Sequence, residues 1–293
     1  MGRTTFANRV VWVTGASRGI GAELAKAFAA QGARLILSAP ESERPGLEQT
    51  AAMCQGLNGQ ANACRIEAFD LARSDDVAQA WARVQASGWQ VDVLVHNAGI
   101  THRSMALETS MDVDRRVMAV NYFGPVQLTK LVAPDMVRRG QGSIVVVASV
   151  LGLIATPHRS AYIAAKHALH GFFEALRTET MDQGLHVMLA YPGFVNTDIS
   201  KHALTAQGGT HGKQDPGQSQ AMPPQRVAQA IVEGLAQGRP RLLIAGKEGW
   251  LVRLQRLSPG LVTRIVRRVA TTRSPAPPWR SPWLAHPCST SPS

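Results

Sequence analysis

The stretch Thr14-Gly15-Ala16-Ser17-Arg18-Gly19-Ile20-Gly21 decides how this 293-residue chain is read. Before it, residues 9–14 form a short run rich in β-branched side chains; after it, apolar residues recur at helical spacing over 20–31. A strand that turns through glycines straight into a helix is the setting of a phosphate cradle. Glycines permit a tight turn and close backbone approach, and the helix N-terminus offers unpaired N–H groups and a positive dipole to a pyrophosphate. The glycine spacing here is GxxxGxG rather than GxGxxG.

Outward from this loop, short aliphatic runs at 34–38, 62–67, 91–96, 143–148, 186–190 and 241–245 alternate with helical patterns at 75–86, 111–139, 161–183 and 224–237. Alternation of this kind predicts βαβ crossovers. The expected architecture is a single doubly wound α/β domain of the Rossmann type over residues 1–245, with a seven-stranded, mostly parallel sheet. Residues 194–223 are rich in Gly and Gln with few apolar anchors, which predicts a mobile loop on the substrate side. A basic amphipathic extension follows at 246–270, split at Pro259-Gly260, and residues 271–293 carry the Pro and Ser content of a disordered tail.

Composition narrows the function. With 45% hydrophobic and 17% charged residues the chain has a globular balance, and its longest apolar runs fall short of a membrane span. Cys54, Cys64 and Cys288 make neither a disulfide framework nor a metal-ligand spacing, so no metal is expected and a reducing compartment is. The first strand begins too early to leave room for a secretory segment, which points to the cytoplasm or the inner face of a membrane. Of the net charge of +11, +9 arises from residue 239 onward and only +2 from the rest. Within 250–269, Arg253, Arg256, Arg264 and Arg267 fall on one helical side and Trp250, Leu254, Leu257, Leu261 and Ile265 on another. This stretch can lie in an anionic lipid interface or pack on its own domain or a second subunit. No aromatic-basic surface or recognition motif accompanies the charge, so nucleic acid is not expected as a partner.

The glycine spacing resembles the TGxxxGxG motif of the short-chain dehydrogenase/reductases, and further matches follow in chain order over about residues 7–198. Asp70-Leu71 resembles the pair that holds the adenine ring. His96-Asn97-Ala98-Gly99 resembles NNAG with His in first place, a change expected to alter packing only. Asn121, Ser149, Tyr162 and Lys166 resemble the family's catalytic tetrad, and Tyr191-Pro192-Gly193 with Val195 and Thr197 the nicotinamide wall. The segment 121–179 is most similar to the hydroxysteroid-dehydrogenase-like branch and its dehydrogenase/reductase relatives. The resemblance implies cofactor contacts at Gly15, Ser17, Arg18, Gly19, Ile20, Gly21, Asp70, Leu71, Asn97, Ala98, Gly99, Tyr162, Lys166, Pro192, Gly193, Val195 and Thr197, and a homodimer or homotetramer.

The residues themselves say why that tetrad suits proton transfer. Tyr162 and Lys166 are four apart on one helical face, and an ammonium near a phenol favours the phenolate. Ser149, closing a strand, can hydrogen-bond a substrate oxygen, and the resemblance makes Asn121 the anchor of a relay water. The implied reaction is hydride transfer between a nicotinamide and a ketone, aldehyde or secondary alcohol, with Tyr162 exchanging the proton. The cofactor reading favours NADP(H): Ala39 stands where an acid would bind a ribose 2′-OH, and Arg18 resembles a 2′-phosphate partner. Pro40 replaces a second basic residue, which keeps NAD(H) as the alternative. Residues 150–161 are mostly apolar, fitting a lipophilic substrate, though they could equally pack on the next strand. The competing function is a dinucleotide-binding sensor or scaffold with little turnover. An epimerase or dehydratase is disfavoured because its GxxGxxG loop is absent.

Overall fold

The computed structural model describes residues 6–58, 63–216, 218–246 and 248–271. The disordered tail expected at 271–293 and the thiol of Cys288 therefore fall outside the described side chains. Strands β1 (Val10–Thr14), β2 (Arg34–Ser38), β3 (Cys64–Ile66), β4 (Val93–His96), β5 (Gly142–Val147), β6 (Leu185–Pro192) and β7 (Arg241–Ile244) form one sheet in the order β3-β2-β1-β4-β5-β6-β7. Every adjacent pair is parallel. The seven-stranded doubly wound sheet expected from the sequence is present.

The alternation of side chains along β1 shows how the layers are built. Val11 and Val13 face a core shared with α1 (Gly19–Ala29), α2 (Arg44–Asn58) and α7 (Pro224–Ala236), through Leu24, Phe28, Leu47 and Ile231. Val10 and Trp12 face the opposite core, shared with α3 (Ser74–Ala86), α5 (Gly124–Arg138) and α6 (Ser160–Glu179), through Val84, Leu128 and Phe173. A sheet covered on both faces buries its inner strands almost completely, which is why β1, β2, β4, β5 and β6 read as continuous apolar runs, whereas the edge strands β3 and β7 stay partly exposed. The indole of Trp12 is fully buried and donates to Ser38 Oγ at 2.8 Å, so its one polar atom is satisfied inside the core.

Two elements differ from the sequence reading. Helix α2 was absent from it, because Pro45 and Gly46 look like a loop. Pro is at home in a first helical turn, however, and Leu47, Thr50, Ala51 and Cys54 are buried at helical spacing. A Cβ on Gly46 would lie 2.8 Å from the Ser17 carbonyl oxygen, so this glycine lets α2 start directly against the glycine loop. The helix expected over 111–139 is α4 (Met111–Met118) and α5 joined by a π-helical turn at Ala119–Phe123. Pro125 lacks the N–H that would close an α-helical bond to the Asn121 carbonyl, and the ladder widens there.

The segment read as a loop, 194–223, has anchors within it. Ser200, Ala203 and Gln218 are buried, and Gln218 Nε2 donates to the carbonyls of Val195 and Thr197 at 3.3 and 3.0 Å. The basic extension forms α8 (Gly249–Leu257) and α9 (Pro259–Thr271). Val252 and Leu251 pack on Val150 and Ile154, and Val262 is buried, while Trp250, Leu257 and Leu261 of the apolar side are exposed. Among the described residues no helix is long and apolar enough to cross a membrane.

Candidate active site

The glycine loop lies at the carboxyl ends of β1 and β4, the point where strand order reverses and where open α/β sheets hold ligands. Gly15 and Gly19 have φ of +67° and +57°, a region that side chains disfavour. A Cβ on Gly15 would sit 2.7 Å from Ala98 Cα, and one on Gly21 would collide with the Gly15 carbonyl and the Asn97 amide. Thr14 Oγ1 donates to the Val95 carbonyl at 3.1 Å and accepts from the Asn97 and Ala98 N–H groups at 3.1 and 3.2 Å. Asn97 Nδ2 donates to the carbonyls of Thr14 and Gly15 at 3.0 and 3.1 Å. Asn97 thus braces the cradle, while Ala98 and Gly99 line the facing wall of a cavity of about 1240 Å³ that runs from the loop to α9.

At one end of this cavity Ser17, Arg18, Ala39, Asp70 and Leu71 meet. Glu43, which the sequence reading passed over, accepts from Arg18 Nη2 at 2.7 Å and from the Ser17 hydroxyl. Asp70 caps the Ala72 N–H at 2.9 Å and pairs with Arg116 at 2.8 Å. Ile20 and Thr197 line the turn between the two halves; the Thr197 methyl lies 3.3 Å from where a Gly19 Cβ would be.

Ser149, Tyr162 and Lys166 line the other end. Ser149 leaves β5 at the start of a 3-10 turn, its Oγ accepting from the Leu151 N–H at 3.1 Å. Tyr162 and Lys166 project together from the first turns of α6, with Nζ 5.7 Å from the phenol ring centroid and 2.9 Å from the Val147 carbonyl to which it donates. Asn121, in the π-turn, exchanges two hydrogen bonds of 2.8 Å with the backbone of Ile100. A Cβ on Gly99 would lie 3.3 Å from Asn121 Oδ1 and 3.7 Å from Lys166 Nζ, so the bare backbone of Gly99 lets both groups approach it, Asn121 from the buried side. Pro192, Gly193 and Val195 line the adjoining wall.

Burial controls the electrostatics here. It pulls Lys166 down to about 8. It also raises the Tyr162 phenol, against which the Ser149 hydroxyl and the charges of Arg159 and Arg103 act to lower it. Those two arginines, with Asp215, lie on the cavity wall and were not read as site residues; Arg159 follows a turn at His158, whose φ is +66°. Leu151, Ile154, Trp250, Leu251, Ile265 and Val266 supply the apolar wall, so α8 and α9 help enclose the cleft. His96 turns away into the core, Nε2 2.7 Å from Thr129 Oγ1 and its ring against Phe173. Burial lowers it to about 3, which makes it a neutral packing residue. Among the described residues no cluster of His, Cys, Asp and Glu could hold a metal ion.

A glycine cradle at a switch point, joined by one cavity to a buried Lys-Tyr-Ser group, defines a dinucleotide-dependent oxidoreductase class of site. The model of the short chain dehydrogenase family matches residues 9–208, and the chain belongs to the short-chain dehydrogenase/reductase family of oxidoreductase enzymes. It is 40% identical over 266 residues to dehydrogenase/reductase SDR family member 7B of Bos taurus, covering 90% of this chain and 82% of that protein. It is 36% identical to dehydrogenase/reductase SDR family protein 7-like of Drosophila melanogaster, covering 92% and 82%. Among solved structures, a short-chain dehydrogenase from Sphingobium yanoikuyae in complex with NADPH superimposes with a TM-score of 0.71 at 25% identity, over 87% of this chain and 95% of that one. An alcohol dehydrogenase from the archaeon Thermococcus sibiricus shares the fold, with a TM-score of 0.68 at 24% identity over 81% and 95%.

Proposed function

We propose that this enzyme is an NADP(H)-dependent oxidoreductase that interconverts a lipophilic ketone or aldehyde and the corresponding alcohol, with Tyr162 as general acid and base. The observation that carries this reading is the convergence of Ser149, Tyr162 and Lys166 on one cavity with the glycine cradle, with Asn121 buried just behind Gly99 and Ile100 of its wall. The crowding of Gly15 and Gly21 against Ala98, Asn97 and the loop itself keeps the turn tight, and Gly15 and Gly19 line the cavity at the start of a helix, where a pyrophosphate would find free N–H groups. Gly15 and Gly19 would hold that group, with Gly21 packed behind them, and Pro192, Gly193 and Thr197 would hold the nicotinamide. When bound, the nicotinamide supplies or accepts the hydride. Tyr162 then gives its proton to the substrate oxygen as negative charge grows there, and Ser149 donates a hydrogen bond to the same atom. Lys166 offsets the phenolate left behind, and Asn121 holds the backbone of Ile100 beside it.

The preference for NADP(H) is supported by Arg18 at the adenosine end, by the absence of an acid at position 39, and by the NADPH-bound structural neighbour. Glu43 competes for the same donors. Its replacement, Glu43→Gln, is expected to tighten NADPH about tenfold, the worth of roughly one charge-assisted hydrogen bond, with little change for NADH. Fluorescence titration of both dinucleotides checks this; equal shifts would mean that Glu43 acts on the loop and not on a 2′-phosphate. NADPH consumption against a panel of apolar ketones and aldehydes tests the activity. Tight NADPH binding without turnover on any of them would favour the sensor reading.

The exposed Trp250, Leu257 and Leu261, beside exposed Arg253, Arg256 and Arg264, also support peripheral contact of α8 and α9 with an anionic membrane surface on the cytoplasmic side. A cavity wall shared with these helices would then draw substrate from lipid.

A further inference from the structure

The substrate end of the cavity has a charged wall that the proposed reaction does not use. Arg103, in the segment after β4, and Arg159, immediately before α6, converge on Asp215. Arg103 binds both carboxylate oxygens, Nε to Oδ1 at 3.0 Å and Nη2 to Oδ2 at 2.6 Å, and Arg159 Nη2 reaches Oδ2 at 2.6 Å. The three side chains are only 11%, 18% and 16% exposed, in the order Arg103, Arg159, Asp215, and all three line the cavity. Two guanidinium groups against one carboxylate leave a positive charge over.

The surroundings do not compensate that charge. The other acids on the cavity wall are engaged elsewhere: Glu23 with Lys26, Glu43 with Arg18, Asp70 with Arg116, Asp198 with Lys201, and Glu248 with the Phe194 N–H at 3.0 Å. Arg103 has further acceptors in Thr101 Oγ1 and the His102 carbonyl, whereas among the described residues the Arg159 guanidinium donates only to Asp215. Burial, and then the charge of Arg103, push the Arg159 guanidinium below its ordinary value, the mark of a cation short of counter-charge. A partly buried cation facing a cavity is stabilised most by an anion with planar paired oxygens, because the guanidinium fork matches that geometry.

We propose that Arg103 and Arg159 form a carboxylate-binding subsite, so that the substrate is a lipophilic oxo- or hydroxy-carboxylic acid, its chain on the apolar wall of Leu151, Ile154, Trp250 and Leu251. The substrate class rests on the oxidoreductase reading above; the carboxylate subsite does not. Asp215 is the resident counter-ion, and it tethers the 193–223 segment to the two arginines while weakening their pull on a second anion. Arg159→Gln and Asp215→Asn should therefore act in opposite directions, which a purely structural ion pair would not produce.

Calorimetric titration of the full chain with decanoate and with decan-1-ol tests this without any turnover. Decanoate is expected to bind at least about tenfold tighter than the alcohol. Arg159→Gln should abolish that preference, and Asp215→Asn should widen it several-fold. Equal binding of the two ligands by the unmodified protein, or an undiminished preference in Arg159→Gln, overturns the proposal. If Arg159→Gln fails to fold by circular dichroism, Asp215→Asn decides, and an unchanged or smaller preference there overturns it. Carboxylate preference in a protein that consumes no NADPH would sink the reductase reading and leave the subsite standing; turnover of neutral ketones with no carboxylate preference would do the reverse.

Discussion

Tyr162→Phe is expected to lower kcat for carbonyl reduction by about 10²- to 10⁴-fold, the usual contribution of a positioned general acid. The change removes one oxygen and keeps the ring, which packs with Val117, Ala161 and Ala165. The thermal midpoint should therefore move little, and NADPH should bind within about threefold of the unmodified affinity, since the glycine cradle and the adenosine end do not involve the phenol. Single-turnover kinetics beside a cofactor titration separate these quantities. Loss of turnover with retained binding is the expected pattern. Equal turnover by both proteins would remove Tyr162 from the reaction and shift attention to Ser149.

Lys166→Met should lower activity by at least about tenfold while relieving a penalty on the fold. Lys166 is 3% exposed, and burial brings its pKa from 10.5 down to about 8. Between those values the unfolded chain holds a proton that the folded chain has released, so the unmodified protein gains stability as pH rises from about 8 to 10.5. The full span is about 3 kcal/mol, at roughly 1.4 kcal/mol for each unit. Methionine fills a similar volume and carries no such dependence. The stability difference between the two proteins should accordingly move in favour of the unmodified one across that window; other titrating groups are common to both and cancel. Urea unfolding at several pH values measures it. A flat difference would mean that the protein already compensates the ammonium, for instance through its bond to the Val147 carbonyl. The same titration should appear in kcat/KM as a decline above about pH 8, because the neutral amine no longer supports the phenolate.

These two residues were legible because their signal is local: an i,i+4 pair placed thirteen residues after a strand-closing serine. The strands were legible for the same reason, since burial on both faces turns each inner one into a continuous apolar run, with Val10–Thr14 the plainest case. Helix α2 was not read although its apolar spacing was present: Pro45 and Gly46 disfavour a helix in isolation, and it is the packing of its first turn on Ser17 that gives them their place. The long helix through Asn121 was read as unbroken, though Pro125 marks where its ladder changes spacing.

What the sequence by itself determined is the class of the molecule: the parallel α/β sheet, the glycine cradle, the order of the residues around it and the family resemblance they carry. All of these are written in neighbouring residues, where a period or a fixed spacing specifies the backbone. Only the tertiary structure decided which charges meet. Arg18 finds Glu43 across 25 residues, and Asp215 finds Arg159 across 56 and Arg103 across 112. It also decided that Leu251 and Val252 turn inward while Leu257 stays outside. A pairing between distant segments depends on where folding brings their backbones, and no local pattern encodes that position.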